Sequence, residues 1–325
     1  MMRIVSFNVQ NLRLRRPHGR PRFDGARDHD MALDSTASAR ALDLADRRLT
    51  AKVLARADAD IVCLQEVFDQ ETLDFFHDHL LRQEGVAPWP YRLCLQGNDG
   101  GGRDLAVMSR RPLHDVASHA RLMPDELGLA GHPGARPGRP VFCRDCLIFD
   151  VDGLTLVLCH FKAPAEPTAD HAGSDPIWAQ RRLEALAVRR LIEARHGIGP
   201  ASALWLVLGD LNEPLARIGA ERAIAPLLPP FSVDLVSRLP EGERWTWVTP
   251  DGSEYARPDA MLASPALAAR FPEAVPQMLR EGLGAEVEAH AGPRLEGVGQ
   301  HRPHASDHAA LMIDLPQFGV QPSAG

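Results

Sequence analysis

A chain of 325 residues with 45% hydrophobic and 24% charged side chains has ordinary globular composition and can bury one large core. No stretch approaches the ~20 consecutive apolar residues of a bilayer-crossing helix, and five cysteines, an odd number set mostly inside apolar runs, point to reduced, buried thiols and exclude a disulfide scaffold. The net charge of −7 argues against a protein that lives on non-specific duplex binding, although a local basic groove stays compatible with it.

The predicted elements begin with a strand from Arg3 to Asn8. Residues 12–34 are rich in Arg, Pro, Gly, His and Asp and carry no apolar period, so a surface loop or partly disordered insertion bordering Asn8 is expected. Ala41, Leu44, Ala45, Leu49, Val53 and Leu54 recur at helical spacing and predict a helix from Ser38 to Arg56. A buried strand over Asp60–Gln65 follows, then a helix over Glu71–Arg82 and strands over Tyr91–Leu95 and Asp104–Met108 around the Gly100-Gly101-Gly102 turn. Strands Cys143–Phe149 and Leu154–His160 are joined at Asp152-Gly153, a hairpin signal. Cys143 and Cys146 form a C-x-x-C inside that strand, but with no second ligand pair at zinc spacing they read as packing residues.

Pro176–Arg195 is a long amphipathic helix, and strands follow at Leu204–Leu208, Val233–Leu235, Arg244–Val248, Asp259–Ala263 and His308–Ile313. Residues 282–302 read as a second loop and 317–325 as a tail, leaving one domain over 1–316. Hairpins mixed with strand–helix–strand units fit an α/β (α+β) sandwich of two packed sheets flanked by helices better than one doubly wound sheet. The first eight residues turn polar too soon for a signal peptide, so a cytoplasmic location is expected.

Several of these strands end in polar residues of one chemical kind. Asn8 follows Val5-Ser6-Phe7, Glu66 follows Ile61–Gln65, His160 follows Leu156–Cys159, Asp210 and Asn212 follow Leu206–Gly209, and Asp307 and His308 open the last strand. Singly, each has a plain reading: a carboxylate ends a strand at the solvent boundary, and a strand histidine packs. Together they gather carboxylates, amides and imidazoles on the rim of a sheet, an oxygen-rich set suited to a hard cation such as Mg²⁺ or Mn²⁺.

Ser6-Phe7-Asn8, Leu64-Gln65-Glu66-Val67, Gly209-Asp210-Leu211-Asn212 and Ser306-Asp307-His308 resemble the four signature blocks of the endonuclease/exonuclease/phosphatase superfamily, the DNase I-like group that includes apurinic endonucleases, inositol polyphosphate 5-phosphatases and bacterial sphingomyelinases. Leu158-Cys159-His160-Phe161-Lys162 resembles the histidine block of the DNase I and sphingomyelinase branches, and Arg257–Leu262 the block whose aspartate orients the catalytic histidine. The blocks run in family order from Asn8 to His308.

The resemblance implies a DNase I-like sandwich and divalent-metal-dependent hydrolysis of a phosphate ester. Glu66 would hold the metal, with Asp307 a second carboxylate and Asn8 an amide near metal and phosphate. His308, held by Asp259, would take a proton from the attacking water. Asp210 and Asn212 would position that water or stabilise the transition state, and His160 would donate to a phosphate oxygen or the leaving group. The division of acid and base among Asp210, His160 and His308 is open. Arg144, Asn98 and Lys162 are expected substrate contacts, with Arg103 also in reach; a polar hairpin at Asn98 and an acid partner for Arg144 are the plain alternatives.

Gln10 stands where apurinic endonucleases carry an acid, which weakens an abasic-site reading. Trp245 and Trp247 share one strand face, either stacking a base or packing in the core. The substrate is left between nucleic acid, a phospholipid head group, an inositol phosphate and a small metabolite. No apolar hairpin that would dip into a membrane is visible, so no stable membrane association is expected. A non-catalytic phosphate-binding relative is the competing class, but it would be expected to have lost a metal carboxylate or the histidine.

Overall fold

The structure, a computed structural model, describes residues 1–27, 36–164, 176–213, 222–249, 254–316 and 318. Its strands are β1 (Met2–Leu12), β2 (Leu14–Arg15), β3 (Arg22–Phe23), β4 (Ile61–Val67), β5 (Tyr91–Leu95), β6 (Asp104–Ser109), β7 (His114–Ser118), β8 (Cys146–Val151), β9 (Leu154–His160), β10 (Trp205–Asp210), β11 (Val233–Asp234), β12 (Trp247–Val248), β13 (Tyr255–Ala256), β14 (Asp259–Ala263), β15 (Gln277–Leu279) and β16 (Ala310–Leu315). The helices are α1 (Thr36–Ala57), α2 (Gln70–His79), α3 (Pro176–His196) and α4 (Pro265–Arg270). None of them is long and apolar enough to cross a membrane.

Two six-stranded sheets carry the fold, ordered β15-β16-β1-β4-β6-β5 and β11-β14-β10-β9-β8-β7. Each is built about one parallel pair, β1 with β4 and β9 with β10, and its other ladders are antiparallel. Period-two alternation divides every central strand between two cores. Ile4, Cys63, Val107 and Ile313 of the first sheet face Phe149, Leu158, Leu208 and Met261 of the second, all in one buried cluster. The opposite face of the first sheet (Val5, Phe7, Val62, Leu64) packs on Leu49, Val53 and Leu54 of α1 and Leu73 and Phe76 of α2. The opposite face of the second (Val157, Cys159, Val207) packs on Leu183, Val188 and Ile192 of α3. The result is the expected α/β/β/α sandwich, in which each fully buried aliphatic side chain contributes roughly 1.5–3 kcal/mol.

Local differences from the sequence reading have identifiable causes. Residues 12–27 do not form a bare loop: β2 and β3 pair as a small hairpin, and Phe23 is buried edge-on against Phe75 and Phe76; residues 28–34 of the expected insertion lie outside the described set. The strand expected from Cys143 starts at Cys146, because the Cys143 amide donates to Glu184 of α3 instead of to a ladder. Only Trp247–Val248 of the expected Arg244–Val248 strand pairs, with Tyr255–Ala256. The edge strands β7 and β15 and the six-residue α4 carry too little apolar period to be seen in advance. Phe318, expected in the tail, is buried beside Phe271.

Gly209 joins the sheet to the site. Its φ of +126° is open to glycine alone, and a Cβ there would lie 2.0 Å from the Cys159 carbonyl oxygen. The β9–β10 ladder therefore closes only without a side chain at 209, and that ladder sets His160 beside Asp210. Gly209→Ala is expected to cost about 3 kcal/mol or more, read as a lowered urea midpoint. A parent-like midpoint would contradict this packing account.

Candidate active site

At one end of the sandwich the stripes that fill the inter-sheet core turn polar. Leu156 and Leu158 lead to His160, Leu206 and Leu208 to Asp210, and Ala263 and Met261 to Asp259, with the three polar residues on one rung of adjacent strands. On the facing sheet Met2 and Ile4 lead through Ser6 to Asn8, which pairs with Gln65. Glu66 breaks this alternation. A bulge between Gln65 and Val67, with Glu66 at φ +68°, turns its side chain toward the same rim.

The rim forms a cleft of 490 Å³ lined by Asn8, Glu66, Arg144, His160, Asp210, Asn212, Asp307 and His308, together with Gln10, Arg103, Glu213 and Trp247. Eight of the eleven expected site residues thus line one cavity. Asp259 sits behind it, and its Oδ2 accepts from His308 Nδ1 at 2.8 Å and from Thr246 Oγ1 at 2.6 Å. Asn98 and Lys162 line a neighbouring cleft that shares Arg144 with this one, and the Asn98 amide donates to the carbonyls of Ala120 and Phe142.

Asp210 is the hub. Its Oδ2 accepts from Asn8 Nδ2 at 3.0 Å and lies 3.5 Å from His160 Nε2 and 3.9 Å from His308 Nε2, and its Oδ1 accepts the Asn212 amide at 2.8 Å. Ligand atoms of Asp210, Asp259 and His308 all lie within 4.8 Å of one another. The Asp259 oxygen already serves two donors, so we read this group as an oriented imidazole facing a carboxylate rather than as a cation cage. Glu66 Oε2 accepts the Asn11 amide at 2.9 Å, and Glu66 Oε1 lies 4.0 Å from His160 Nε2. Asp307 Oδ2 accepts from the Trp247 indole at 3.0 Å, its Oδ1 lies 3.3 Å from the Ser306 hydroxyl, and its backbone N–H donates to Gln10 Oε1. Arg144 Nη1 and Asn212 Nδ2 both donate to the Phe161 carbonyl.

The electrostatics divide these groups. Burial pushes the Asp210 carboxyl up to about 6, against the His308 cation and the Asn212 and Asn8 hydrogen bonds that hold it down. Burial also works against a charged His308, but the carboxylates of Asp259, Asp307 and Asp210 outweigh it and raise His308 well above the usual range. Burial, reinforced by Arg144 and by His308, lowers His160 well below it. These groups are thus driven apart, Asp210 toward its protonated form, His308 toward the imidazolium and His160 toward the neutral ring.

Four features of the cleft emerge only in the fold. Trp247 of the tryptophan pair lines the cleft, whereas Trp245 packs on Tyr255 and under Arg280. Thr246 shares Asp259, Gln10 supports Asp307, and the Glu66 bulge aims its carboxylate. The Ser306-Asp307-His308 run was the signal nearest to them, but side-chain contacts across 13 to 297 positions leave no mark on local sequence.

A sequence model of the Endonuclease/Exonuclease/phosphatase family matches residues 5–308, and no curated protein sequence matches the chain. Among solved structures, TDP2 of D. rerio complexed with single strand DNA product is 19% identical over 96% of this chain and 97% of its own, with a TM-score of 0.52. The 3′-5′ exonuclease (NExo) of Neisseria meningitidis is 18% identical over 96% and 99%, at 0.55. An endonuclease/exonuclease/phosphatase family protein of Leptotrichia buccalis is 14% identical over 97% and 99%, at 0.56. At such identities these likenesses are of fold.

Because Asp259 holds up the charge on His308, Asp259→Asn is expected to lower the His308 titration midpoint, while His160 titrates below the usual histidine range. Ring ¹⁵N shifts across a pH series measure both. A His308 midpoint unmoved by the substitution would contradict this reading.

Proposed function

The chain belongs to the endonuclease/exonuclease/phosphatase family, and on that footing we propose that it hydrolyses a phosphodiester with water and a divalent metal ion. The observation that carries the reading is the convergence of Asp210, His308, His160 and Glu66 on one cleft whose remaining wall supplies Arg103 and Arg144.

The cleft suits a hard cation. Its lining among the described residues holds the carboxylates of Glu66 and Asp307 and no sulfur. Glu66 and Asp307 would hold Mg²⁺ or Mn²⁺. Both ends of the Asn8 amide are engaged, one accepting the Gln10 N–H and the other donating to Asp210, so Asn8 orients Asp210 in this account. Bound there, the ion supplies charge neutralisation and polarisation at a phosphoryl oxygen.

The proton chemistry belongs to Asp210. It is ionised at neutral pH, with an affinity for protons close to that pH, which suits a general base for the attacking water. The resemblance implies that role for His308; the carboxylates around His308 favour its imidazolium instead, which leaves Asp210 the base in this reading. His308 instead presents a fixed positive N–H, oriented by Asp259, to the charge that develops on phosphate. His160 serves as a neutral donor, and Asn212 holds Asp210 through its backbone amide. Arg144 and Arg103 bring cations to the phosphate oxygens.

A nucleic-acid substrate is favoured within this reading by what flanks the cleft. Arg103 also lines a 670 Å³ cleft with Arg13, Arg15, Arg22 and Arg27, and Arg144 also lines one with Arg136, Arg139 and Lys162. A chain of phosphates running past the scissile one would meet Arg13 on one side and Arg136, Arg139 and Lys162 on the other, whereas Arg15, Arg22 and Arg27 are already paired with Asp24 and Asp43. The single strand DNA product held by the D. rerio TDP2 structure is consistent with such a substrate.

The test is a panel of phosphate esters with Mg²⁺ and Mn²⁺: duplex and single-stranded DNA, inositol phosphates, sphingomyelin and a chromogenic diester. Metal-dependent turnover, abolished by chelator, is expected, with Asp210→Asn lowering kcat/KM by about 10²–10⁴-fold. Undiminished turnover in excess chelator by metal-free protein would refute the metal role.

A further inference from the structure

Arg47, in the middle of α1, is fully buried, yet it meets the site only through backbone. Its Nη1 donates to the Val9 carbonyl at 2.6 Å. Its Nη2 donates to the carbonyls of Gln10 at 2.7 Å, Asn11 at 2.9 Å and Gly25 at 2.6 Å, and its Nε to that of Asp24 at 2.7 Å. Five carbonyls from two segments thus converge on one guanidinium. Burial lowers Arg47 to about 10, opposed by Asp46, Asp24, Asp43 and Glu66, so it stays charged at neutral pH.

The turn it holds is the irregular end of β1. Gln10 and Asn11 adopt left-handed φ values of 46° and 56°, and the β1–β4 register breaks between Asn8 and Leu12. Two consecutive non-glycine residues in that region are strained unless something holds them there. Four lining residues of the cleft depend on the turn. The Gln10 amide donates to Asn8 Oδ1, Gln10 Oε1 accepts the Asp307 amide, the Asn11 amide donates to Glu66 Oε2, and Asn11 Oδ1 accepts from Arg103 Nε.

We propose that Arg47 is a positioning residue for the candidate metal site: by gathering the carbonyls of residues 9–11 it fixes the left-handed turn whose N–H and amide groups orient Glu66 and support Asp307. The guanidinium is suited to this, since its planar fork reaches acceptors in several directions at once, which a lysine ammonium cannot reproduce. The inference rests on the proposed metal role of Glu66 and Asp307, but not on which substrate is cleaved.

The test compares the full-length parent with Arg47→Lys and Arg47→Gln, each checked for folding by circular dichroism. Mn²⁺ affinity is measured by titration calorimetry and local order by amide hydrogen exchange. For a folded variant we expect Mn²⁺ binding weakened by about tenfold or more. Exchange at residues 9–12 should quicken, with Leu156–His160 and Leu206–Asp210 unchanged. Adding Asn11→Gly to the folded Arg47 variant should recover part of the affinity, because glycine enters the left-handed region freely.

A folded variant with parental Mn²⁺ affinity and parental exchange at 9–12 overturns the proposal. So does failure of both variants to fold, which leaves Arg47 a purely structural role. A parent that binds no Mn²⁺ refutes the metal reading of the cleft instead, and the exchange comparison then decides on Arg47 alone.

Discussion

Two sheets can pack face to face only if every second residue of their central strands is apolar, and this alternation orders everything else in the molecule. The stripes that satisfy it, Leu156-Leu158, Leu206-Leu208, Ala263-Met261 and Met2-Ile4, run the length of the sandwich. At one rim they are continued, in phase, by His160, Asp210, Asp259 and Asn8. A one-residue slip in any of these ladders would turn the polar group into the outer core and an apolar one into the cleft. The register that buries the core therefore also assembles the site.

A polar rim set on a buried face is costly unless its members satisfy one another. Asn8 donates to Asp210, Asn212 caps it, Thr246 and His308 share Asp259, and Trp247 and Ser306 serve Asp307. Among the described residues His160 Nδ1 is left without a hydrogen-bond partner, and charge is unbalanced as well. Burial pushes Asp210 up to about 6 while the surrounding carboxylates favour charge on His308, and the two face each other across 3.9 Å without a direct hydrogen bond. Both groups line the same cleft, so each can meet a molecule bound there.

How much of this the sequence discloses depends on whether a feature is local. Strand-end residues are local: a run such as Leu206-Val207-Leu208-Gly209-Asp210 announces both a buried strand and the polar residue that ends it, and eight of the eleven expected site residues came to line one cleft. The hydrogen-bonded Asp259–His308 pair was legible as well, through the Arg257–Leu262 and Ser306–His308 blocks. Features that depend on contact between distant segments were not. Nothing around Glu66 marks it as a bulge, since Ile61–Val67 reads as one even strand. Arg47 looks like one more charge on a helix whose surface is full of arginine, and only the fold brings five carbonyls to it. Asn98 shows the converse, a polar residue at a suggestive place whose amide holds two neighbouring carbonyls together.

In the proposed function Glu66, re-aimed by the bulge, supplies the charge that would hold a divalent cation in this cleft. The most direct measurement is calorimetric titration of Mg²⁺ and Mn²⁺ into the folded parent and into Glu66→Gln, a nearly isosteric change that removes the negative charge. Saturable binding by the parent is expected, with a loss of at least about tenfold in affinity in the variant, of the size that follows when a direct ligand charge is removed from a hard-cation site. Equal affinity in the two proteins, with folding intact in both, would contradict it.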